Sequence, residues 1–374
     1  MVRTSTPEDQ AAVEFEESLE NLLDRIGLMA AENTSLVAQV DGAIGSDDWA
    51  TGRATGATAA PRGDASLDLG HDDAVTHVAL VANPAKVANL EAVSVVLGER
   101  LTAAGWPAPM ILLTSEEDPG RGCTEEGLRG GAGVVIAAGG DGTVAAVASV
   151  LSGTDACLAV LPAGTGNLLA RNLDLPNELD DVLAEVLAGD TWRMDLGEVV
   201  TGPGAGSSFT VMAGLGFDAH VVADAPEGLK AAVGWPAYLV SALSHLTDDP
   251  FECSITVDGG EPIERTVRTV LVANASELQG GVDVAPDASI SDGLLDVVIV
   301  APEGAADWLR IAQDVVTGKD RSSVPLERVR GRRVEIRTVA PQVCQLDGDP
   351  VGEATHLAVE VRPHALRMVG SPRG

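Results

Sequence analysis

Two glycine-rich segments lie close together in the sequence. The first is Gly139–Thr143, which reads GGDGT, and the second is Pro162–Asn167, which reads PAGTGN. Glycine lets the backbone approach a bulky anion, and the free amides at a helix N-terminus point towards that anion. Two neighbouring loops of this kind are typical of a site for nucleotide phosphates. Neither loop follows the dinucleotide pattern GxGxxG or a P-loop pattern ending in GKS or GKT. The spacing alone therefore does not identify which nucleotide is bound.

Each glycine segment follows a short apolar run and precedes a run rich in Ala, Val or Leu. Val134–Ala138 leads into the first segment, and Cys157–Leu161 leads into the second. The same alternation begins near His77, with predicted strands at Val78–Ala82 and Met110–Leu113 and a helix over 88–104. Short apolar runs that alternate with helices predict a parallel sheet.

Polar residues stand at the ends of these predicted strands, namely Asn83, Thr114, Asp141 and Thr165. Ligands of parallel α/β sheets bind beyond the carboxyl ends of the strands. We therefore expect these four residues to converge on one nucleotide site.

The pattern changes after about residue 190, where helices become rarer. The predicted strands there are Trp192–Val200, Phe209–Ala213, Cys253–Val257, Thr266–Ala273, Leu294–Val300, Arg333–Arg337, Val343–Leu346 and His356–Val361, with helices only over 237–246 and 306–316. We predict a separate antiparallel sandwich or barrel-like domain. The fold class is therefore an α/β nucleotide-binding domain over 76–190 and a β-rich sandwich domain over 191–374, with the option that the C-terminal strand returns to the first domain.

Residues 1–75 form a separate, acidic N-terminal extension. Apolar residues between Val13 and Met29 recur at roughly helical spacing, and Gly42–Gly70 has the composition of a linker. We interpret the helix as a segment that docks a partner or pairs two copies of the chain in a homodimer.

The composition limits the partners of the chain. The net charge is -32, and Lys86, Lys230 and Lys319 are the only lysines. Binding to nucleic acid through a general basic field is therefore not expected. The four cysteines have no metal-like spacing, and Cys157, Cys253 and Cys344 are predicted to be small buried apolar residues. The sequence has no signal-peptide pattern and no apolar span of membrane-crossing length, which predicts a cytoplasmic protein.

Six segments, taken in their order along the chain, carry a family resemblance. They are Asn83-Pro84, Gly139–Thr143, Leu161–Asn167, Ala213–Asp218, Ala285–Asp296 and Asp347–Asp349. Over about residues 76–370 the chain resembles the diacylglycerol kinase catalytic family, which includes bacterial lipid kinases and sphingosine kinases. PAGTGN is the most specific of these segments, because GGDGT also occurs in NAD kinases.

The resemblance implies an ATP-binding α/β domain, a C-terminal β-sandwich and an interdomain cleft where a lipid hydroxyl meets the γ-phosphate. It implies that Mg²⁺ accompanies ATP and that ATP is held by Asn83, Pro84, Ala85, Lys86, Val87, Thr114, Gly139, Gly140, Asp141, Gly142, Thr143 and Thr165. Asp349 occupies the family's proton-acceptor position, and Asp141 and Asp347 are the other carboxylates that could take this role. Asp292, with the backbone oxygens of Ser289 and Leu294, matches a structural metal site of bacterial members.

The chain departs from the family at two residues. The family's first phosphate loop is usually Asn-Pro-x-Ser-Gly, whereas Lys86 and Val87 stand here in its last two places. Lys86 is either a point donor to phosphate or a solvated lysine at a helix start. Asp349 stands where the family usually has Glu, so the carboxylate is one methylene shorter.

These inferences predict a transferase of phospholipid metabolism. The expected activity is ATP-dependent phosphorylation of a hydroxyl of diacylglycerol or a related lipid alcohol, by a cytoplasmic protein acting at the membrane surface. The alternatives are an NAD kinase and a non-catalytic regulator that binds lipid or nucleotide.

Overall fold

The computed structural model describes residues 77–216, 250–278, 282–283, 285, 288–301 and 326–372. Three sequence predictions lie outside these residues: the N-terminal extension and the helices predicted over 237–246 and 306–316. All the described residues belong to one compact unit.

The first part of the chain alternates strands and helices as predicted. Its strands are β1 (His77–Ala82), β2 (Met110–Leu113), β3 (Ala132–Gly139) and β4 (Cys157–Pro162). Its helices are α1 (Leu90–Ala103), α2 (Arg121–Arg129), α3 (Asp141–Leu151), α4 (Leu168–Asn172) and α5 (Leu179–Ala188). The four strands pair in parallel in the order β2-β1-β3-β4. The central residues of β1, β3 and β4 are buried on both faces, which explains why these three strands read as continuous apolar runs, whereas the edge strand β2 is partly exposed.

The remaining described strands are mostly antiparallel. They are β5 (Thr191–Thr201), β6 (Ser208–Phe209), β7 (Met212–Leu215), β8 (Phe251–Val257), β9 (Ile263–Val267), β10 (Thr269–Ala273), β11 (Glu277–Leu278), β12 (Val282–Asp283), β13 (Leu295–Val300), β14 (Leu326–Gly331), β15 (Arg333–Leu346) and β16 (Asp349–Val369). A buried cluster that includes Phe209, Ile255, Val297 and Ile336 forms the core of this part.

The last strand joins the two parts in one sheet. β16 pairs with β15 in its first half and with β5 in its second half. Its end also pairs in parallel with β4, where Arg367 and Met368 stand beside Cys157 and Leu158. The main path of the sheet is β14-β13-β10-β7-β15-β16-β4-β3-β1-β2. The carboxyl ends of β3 and β4 are therefore connected through a continuous sheet to the hairpin of β15 and β16.

Four of the predicted strands are divided or joined in the structure. Thr266–Ala273 is divided between β9 and β10, and Phe209–Ala213 is divided between β6 and β7. Conversely, Arg333–Arg337 and Val343–Leu346 are parts of the single strand β15, whose middle is exposed around Val339. Polar and exposed residues in that middle hid the continuity, because strand prediction relies on alternation with buried apolar residues.

Candidate active site

The two glycine segments touch at the carboxyl ends of β3 and β4. Gly139 and Pro162 are register partners at the ends of these parallel strands. A Cβ atom added to Gly164 would lie 2.6 Å from the Cα atom of Gly140. Because no side chain fits at this contact, the two backbones form a common cradle that a larger residue would disrupt.

The cradle contains backbone N–H groups that have no hydrogen-bond partner among the described residues. Within the described part of the chain, the amides of Asp141, Gly142, Thr165 and Gly166 donate no hydrogen bond. Asp141 and Gly142 form the first turn of α3, where amides have no partner inside the helix. Amides and a helix dipole that converge in this way favour an anion such as phosphate.

Asp141 fastens the second loop to the first. Its Oδ2 atom accepts the N–H of Asn167 at 2.8 Å, and its Oδ1 atom accepts the N–H of Leu168 at 2.5 Å. Asn167 has a positive φ of 49° and bonds through its side chain to both the N–H and the carbonyl of Gly164. Asp141 therefore determines where the PAGTGN loop lies, whatever further role it has towards phosphate.

The carboxyl of Asp141 has an unusual protonation equilibrium. Burial raises its pKa from 3.8 to about 6, the amides of Leu168 and Asn167 oppose that shift, and the charges of Asp347 and Asp349 add to it. Three aspartates therefore interact in one region, which favours binding of a cation or loss of one negative charge by protonation.

This raised pKa predicts a pH-dependent stability difference. The folded protein binds a proton at Asp141 more tightly than the unfolded chain does, so the group's contribution is fully present below about pH 4 and is lost as the pH rises through about 6. Relative to Asp141→Asn, the wild-type free energy of unfolding should fall by about 2 kcal/mol between about pH 4 and 7. Urea denaturation of both proteins at several pH values measures this difference, and two parallel pH profiles would contradict it.

Asp347 and Gly348 form the tight turn between β15 and β16. Both have positive φ, 48° and 89°, and they connect the paired residues Leu346 and Asp349. Asp-Gly is a preferred pair for a two-residue type I′ turn, which requires positive φ at both places. The N–H of Gly348 donates to Oε1 of the buried Gln345 at 2.7 Å.

The side chain of Asp347 anchors this turn to the segment between β6 and β7. The carboxylate is buried and accepts hydrogen bonds from the N–H and hydroxyl of Thr210 and from the N–H groups of Val211 and Met212, at 2.8 to 2.9 Å. Burial raises its pKa, and the three amides oppose that shift. Four donors leave this carboxylate little capacity to accept a substrate proton, so the geometry favours a positioning role for Asp347.

Asp349 is the first residue after this turn, and its side chain lies beside the cradle. Its Oδ2 atom would lie 3.1 Å from a Cβ atom added to Gly142. Desolvation raises the pKa of Asp349, and the charge of Lys86 lowers it. Asp349 is an exposed residue overall, but its carboxylate is partly desolvated beside the first turn of α3 and lies within electrostatic range of Lys86.

The first predicted phosphate loop is a compact turn after β1. The carbonyl of Asn83 accepts the N–H groups of Lys86 and Val87, and its Oδ1 atom accepts the N–H of Ala85. Pro84, Ala85 and Lys86 are exposed, whereas Val87 is buried in the core. Lys86 is thus the residue of this loop whose side chain is free to reach a ligand.

The other predicted ATP residues differ in exposure. Thr114 follows β2, is buried and donates its N–H to Ala82. Thr143 is buried in α3, whereas Thr165 is exposed at the tip of the second loop. Sequence reasoning missed Asn167 and Thr210–Met212 as site-building residues. The Asp-Gly pair between two strands was a usable signal for the turn, but no local signal marks Thr210.

The residues of the predicted structural metal site make other contacts. Asp292 forms an ion pair with Arg330 and accepts the N–H of Leu294. No group of three or more His, Cys, Asp or Glu side chains suited to a metal ion occurs among the described residues. The metal assignment to Asp292, Ser289 and Leu294 therefore stays a prediction.

Two family profiles together match most of the chain. Residues 77–199 match the diacylglycerol kinase catalytic domain, and residues 210–370 match the YegS C-terminal NAD kinase beta sandwich-like domain. This succession confirms the predicted fold class, an α/β kinase domain followed by a sandwich-like domain. Among the described residues, no helix has the length and apolar composition needed to cross a bilayer.

Individual proteins agree with the profiles. A Pseudomonas putida protein named "Probable lipid kinase YegS-like" is 33% identical over 280 residues, which cover 73% of this chain and 89% of the relative. A "Diacylglycerol kinase" of Mycobacterium tuberculosis is 30% identical and is covered over 71% of its length. The crystal structure of a diacylglycerol kinase from Bacillus anthracis superposes with a TM-score of 0.61 at 22% identity, covering 79% of this chain and 97% of that one. This chain therefore shares its fold with that solved protein.

Proposed function

The chain belongs to the diacylglycerol kinase catalytic family, and we propose that it transfers the γ-phosphate of ATP to a hydroxyl of diacylglycerol or a related lipid alcohol. The observation that carries this proposal is the carboxylate of Asp349 beside Gly142, at the mouth of a glycine cradle with free amides. Phosphoryl transfer needs bound phosphates, compensated charge and an acceptor for the hydroxyl proton. This arrangement offers the first and the third of these.

The cradle is suited to the phosphates of ATP. The amides of Asp141, Gly142, Thr165 and Gly166 would donate to phosphate oxygens, and the contact of Gly140 with Gly164 keeps side chains out of that space. Mg²⁺ bound with ATP would compensate the combined charge of the phosphates and the nearby carboxylates. Asp141 and Asp349 are the carboxylates available to it.

Asp349 is the proposed base. The lipid hydroxyl oxygen forms the new bond to phosphorus, its proton passes to the Asp349 carboxylate, and the bond from phosphorus to the ADP leaving oxygen breaks. Asp347 holds the turn that aims Asp349, and Asp141 holds the loop that carries Thr165. Because a positioned base contributes typically 10²- to 10⁴-fold, orientation of the Asp349 carboxylate is the property the fold must protect.

Lys86 is the proposed phosphate donor of the first loop. Its ammonium group is exposed, lies within electrostatic range of Asp349 and replaces a small residue of the family loop. We expect Lys86→Met to raise the KM for ATP by about tenfold, as for loss of one charge-assisted hydrogen bond. The same change should move the acidic limb of the pH profile upward, because the Lys86 charge lowers the pKa of Asp349. Initial rates at varied ATP concentration and varied pH measure both effects, and Lys86→Arg is the charge-conserving control. An unchanged KM for ATP would show that Lys86 is a solvated surface residue that does not bind phosphate.

The lipid acceptor is identified by a substrate panel. Purified full-length protein with γ-labelled ATP and Mg²⁺ is offered vesicles that contain diacylglycerol, a sphingoid base or phosphatidylglycerol, and NAD is offered separately. We expect label in at least one lipid product and none in NAD. Label in NADP alone would favour an NAD kinase, and ATP binding without any transfer would favour a non-catalytic regulator.

The lipid is proposed to be met at a membrane surface, with the protein attached only peripherally. The strongly acidic composition argues against a general attraction to anionic lipid headgroups. Docking of the N-terminal helix and formation of a homodimer stay predictions.

A further inference from the structure

The turn before β13 contains a guanidinium group where family resemblance suggests a metal ion. One carboxylate oxygen of Asp292, Oδ2, lies 2.5 Å from Nη2 of Arg330. The other, Oδ1, accepts the N–H of Leu294 at 3.0 Å. Both oxygens of the predicted metal ligand therefore have protein partners.

The same guanidinium group also binds a buried carboxylate. Nε of Arg330 lies 3.0 Å from Oδ1 of Asp296, and the two residues are register partners in the β13–β14 pair. Asp296 is nearly fully buried. Burial would lower the pKa of Arg330, but the charges of Asp296 and Asp292 raise it overall. The guanidinium group of Arg330 therefore stays protonated. Arg330 thus connects the turn to the sheet by two charge-assisted contacts.

A metal ion would compete directly with this arrangement. Mg²⁺ binds oxygen at about 2.0–2.1 Å and Ca²⁺ at about 2.3–2.6 Å. A guanidinium nitrogen at 2.5 Å from Asp292 Oδ2 occupies that coordination space and would repel a second cation. Oδ1 is turned towards the Leu294 amide instead of outward.

The inner side of the turn is held without a metal as well. The buried carboxylate of Asp195 accepts the N–H of Gly293 at 2.7 Å, and its backbone N–H donates to the carbonyl of Ile290 at 2.7 Å. Asp195 also accepts the N–H of His364 in β16 at 2.7 Å. The turn is therefore tied to β5 and β16 from inside and to β14 from outside.

We propose that Arg330 takes the place of the family's structural cation, so that the turn over residues 288–294 is metal-independent in this chain. The guanidinium neutralises Asp292 and Asp296 and joins the turn to β14 in the way that a bound ion would join its ligands. This inference concerns the stability of the sheet and does not rest on the proposed lipid kinase activity.

Thermal unfolding of the full-length protein without nucleotide tests the proposal. In wild type, Tm should be the same in EDTA, in millimolar Mg²⁺ and in millimolar Ca²⁺. A rise in Tm with either ion that Asp292→Asn abolishes would overturn the proposal, because the ion would then occupy the site.

A pair of variants tests the role of the guanidinium itself. Arg330→Met should lower Tm by about 4 °C or more, since it removes the guanidinium that is paired with the buried Asp296. The matched control is Arg265→Met, which removes an exposed ion pair to Glu327 on the same strand β14 and should lower Tm by less than about 2 °C. Equal losses in the two variants would contradict a special role for Arg330. If Arg330→Met does not fold, the metal comparison on wild type and Asp292→Asn still decides the question.

Discussion

Replacement of Asp349 by Asn is expected to lower kcat by about 10²- to 10⁴-fold while the affinity for ATP stays near that of wild type. A lipid alcohol is a poor nucleophile at neutral pH, and Asp349 is the carboxylate that stands beside Gly142 at the cradle. Its amide replacement has nearly the same shape but cannot accept the proton. Initial rates with labelled ATP give kcat, and equilibrium binding of ATP gives the separate affinity.

Two further variants define the result for Asp349. Asp349→Glu restores the family's usual residue and should keep or raise activity, since only the length of the side chain changes. Asp347→Asn should act through stability, because it places an amide against backbone donors in a buried site. Asp347 would be the base, and Asp349 would not, if Asp349→Asn were active while Asp347→Asn were stably folded but inactive.

Asp141→Asn is expected to lower kcat/KM by on the order of 10²-fold or more with the fold retained. Asp141 accepts two backbone N–H groups of the second loop, one at each oxygen. Asn supplies one acceptor and one donor, so one of those amides would face an NH₂ group and the PAGTGN loop would move. The fold should persist, because the variant also removes the cost of burying the charge.

The measurement for Asp141 separates loop position from general damage. Far-ultraviolet circular dichroism and Tm report the fold, and kcat/KM for ATP reports the cradle. Asp180→Asn is the matched control, since Asp180 is an exposed aspartate paired with Arg100 outside the cradle. Activity of Asp141→Asn within a fewfold of wild type would remove Asp141 from the mechanism.

Local sequence patterns were sufficient for the first part of the fold. The bounds of β1, β3 and β4 were predicted to within two residues, because strands buried on both faces read as unbroken apolar runs. The bounds of the half-exposed edge strand β2 were predicted to the residue from its run of four apolar side chains. The nearness of the two glycine loops followed from the rule that parallel strands present their carboxyl ends on one edge.

The features of the fold that the sequence did not predict depend on contacts between residues far apart in the chain. At the break between β6 and β7, the N–H groups of Thr210 and Val211 donate hydrogen bonds to the carboxylate of Asp347, which is remote in sequence. The exposed middle of β15 lacks a buried face, so its pattern resembled a loop. The pairing of Asp292 with Arg330 likewise depends on the β13–β14 register, which no local pattern predicts.

A competition between diacylglycerol and NAD as phosphate acceptors tests most directly whether the protein is a lipid kinase. Wild-type protein receives γ-labelled ATP, Mg²⁺, diacylglycerol vesicles and NAD in one reaction, and the products are divided into an organic extract and an aqueous phase. We expect label in a phospholipid in the organic extract, and its loss in Asp349→Asn. Label confined to aqueous NADP, or lipid labelling that Asp349→Asn leaves unchanged, would contradict a lipid kinase that uses Asp349 as its base.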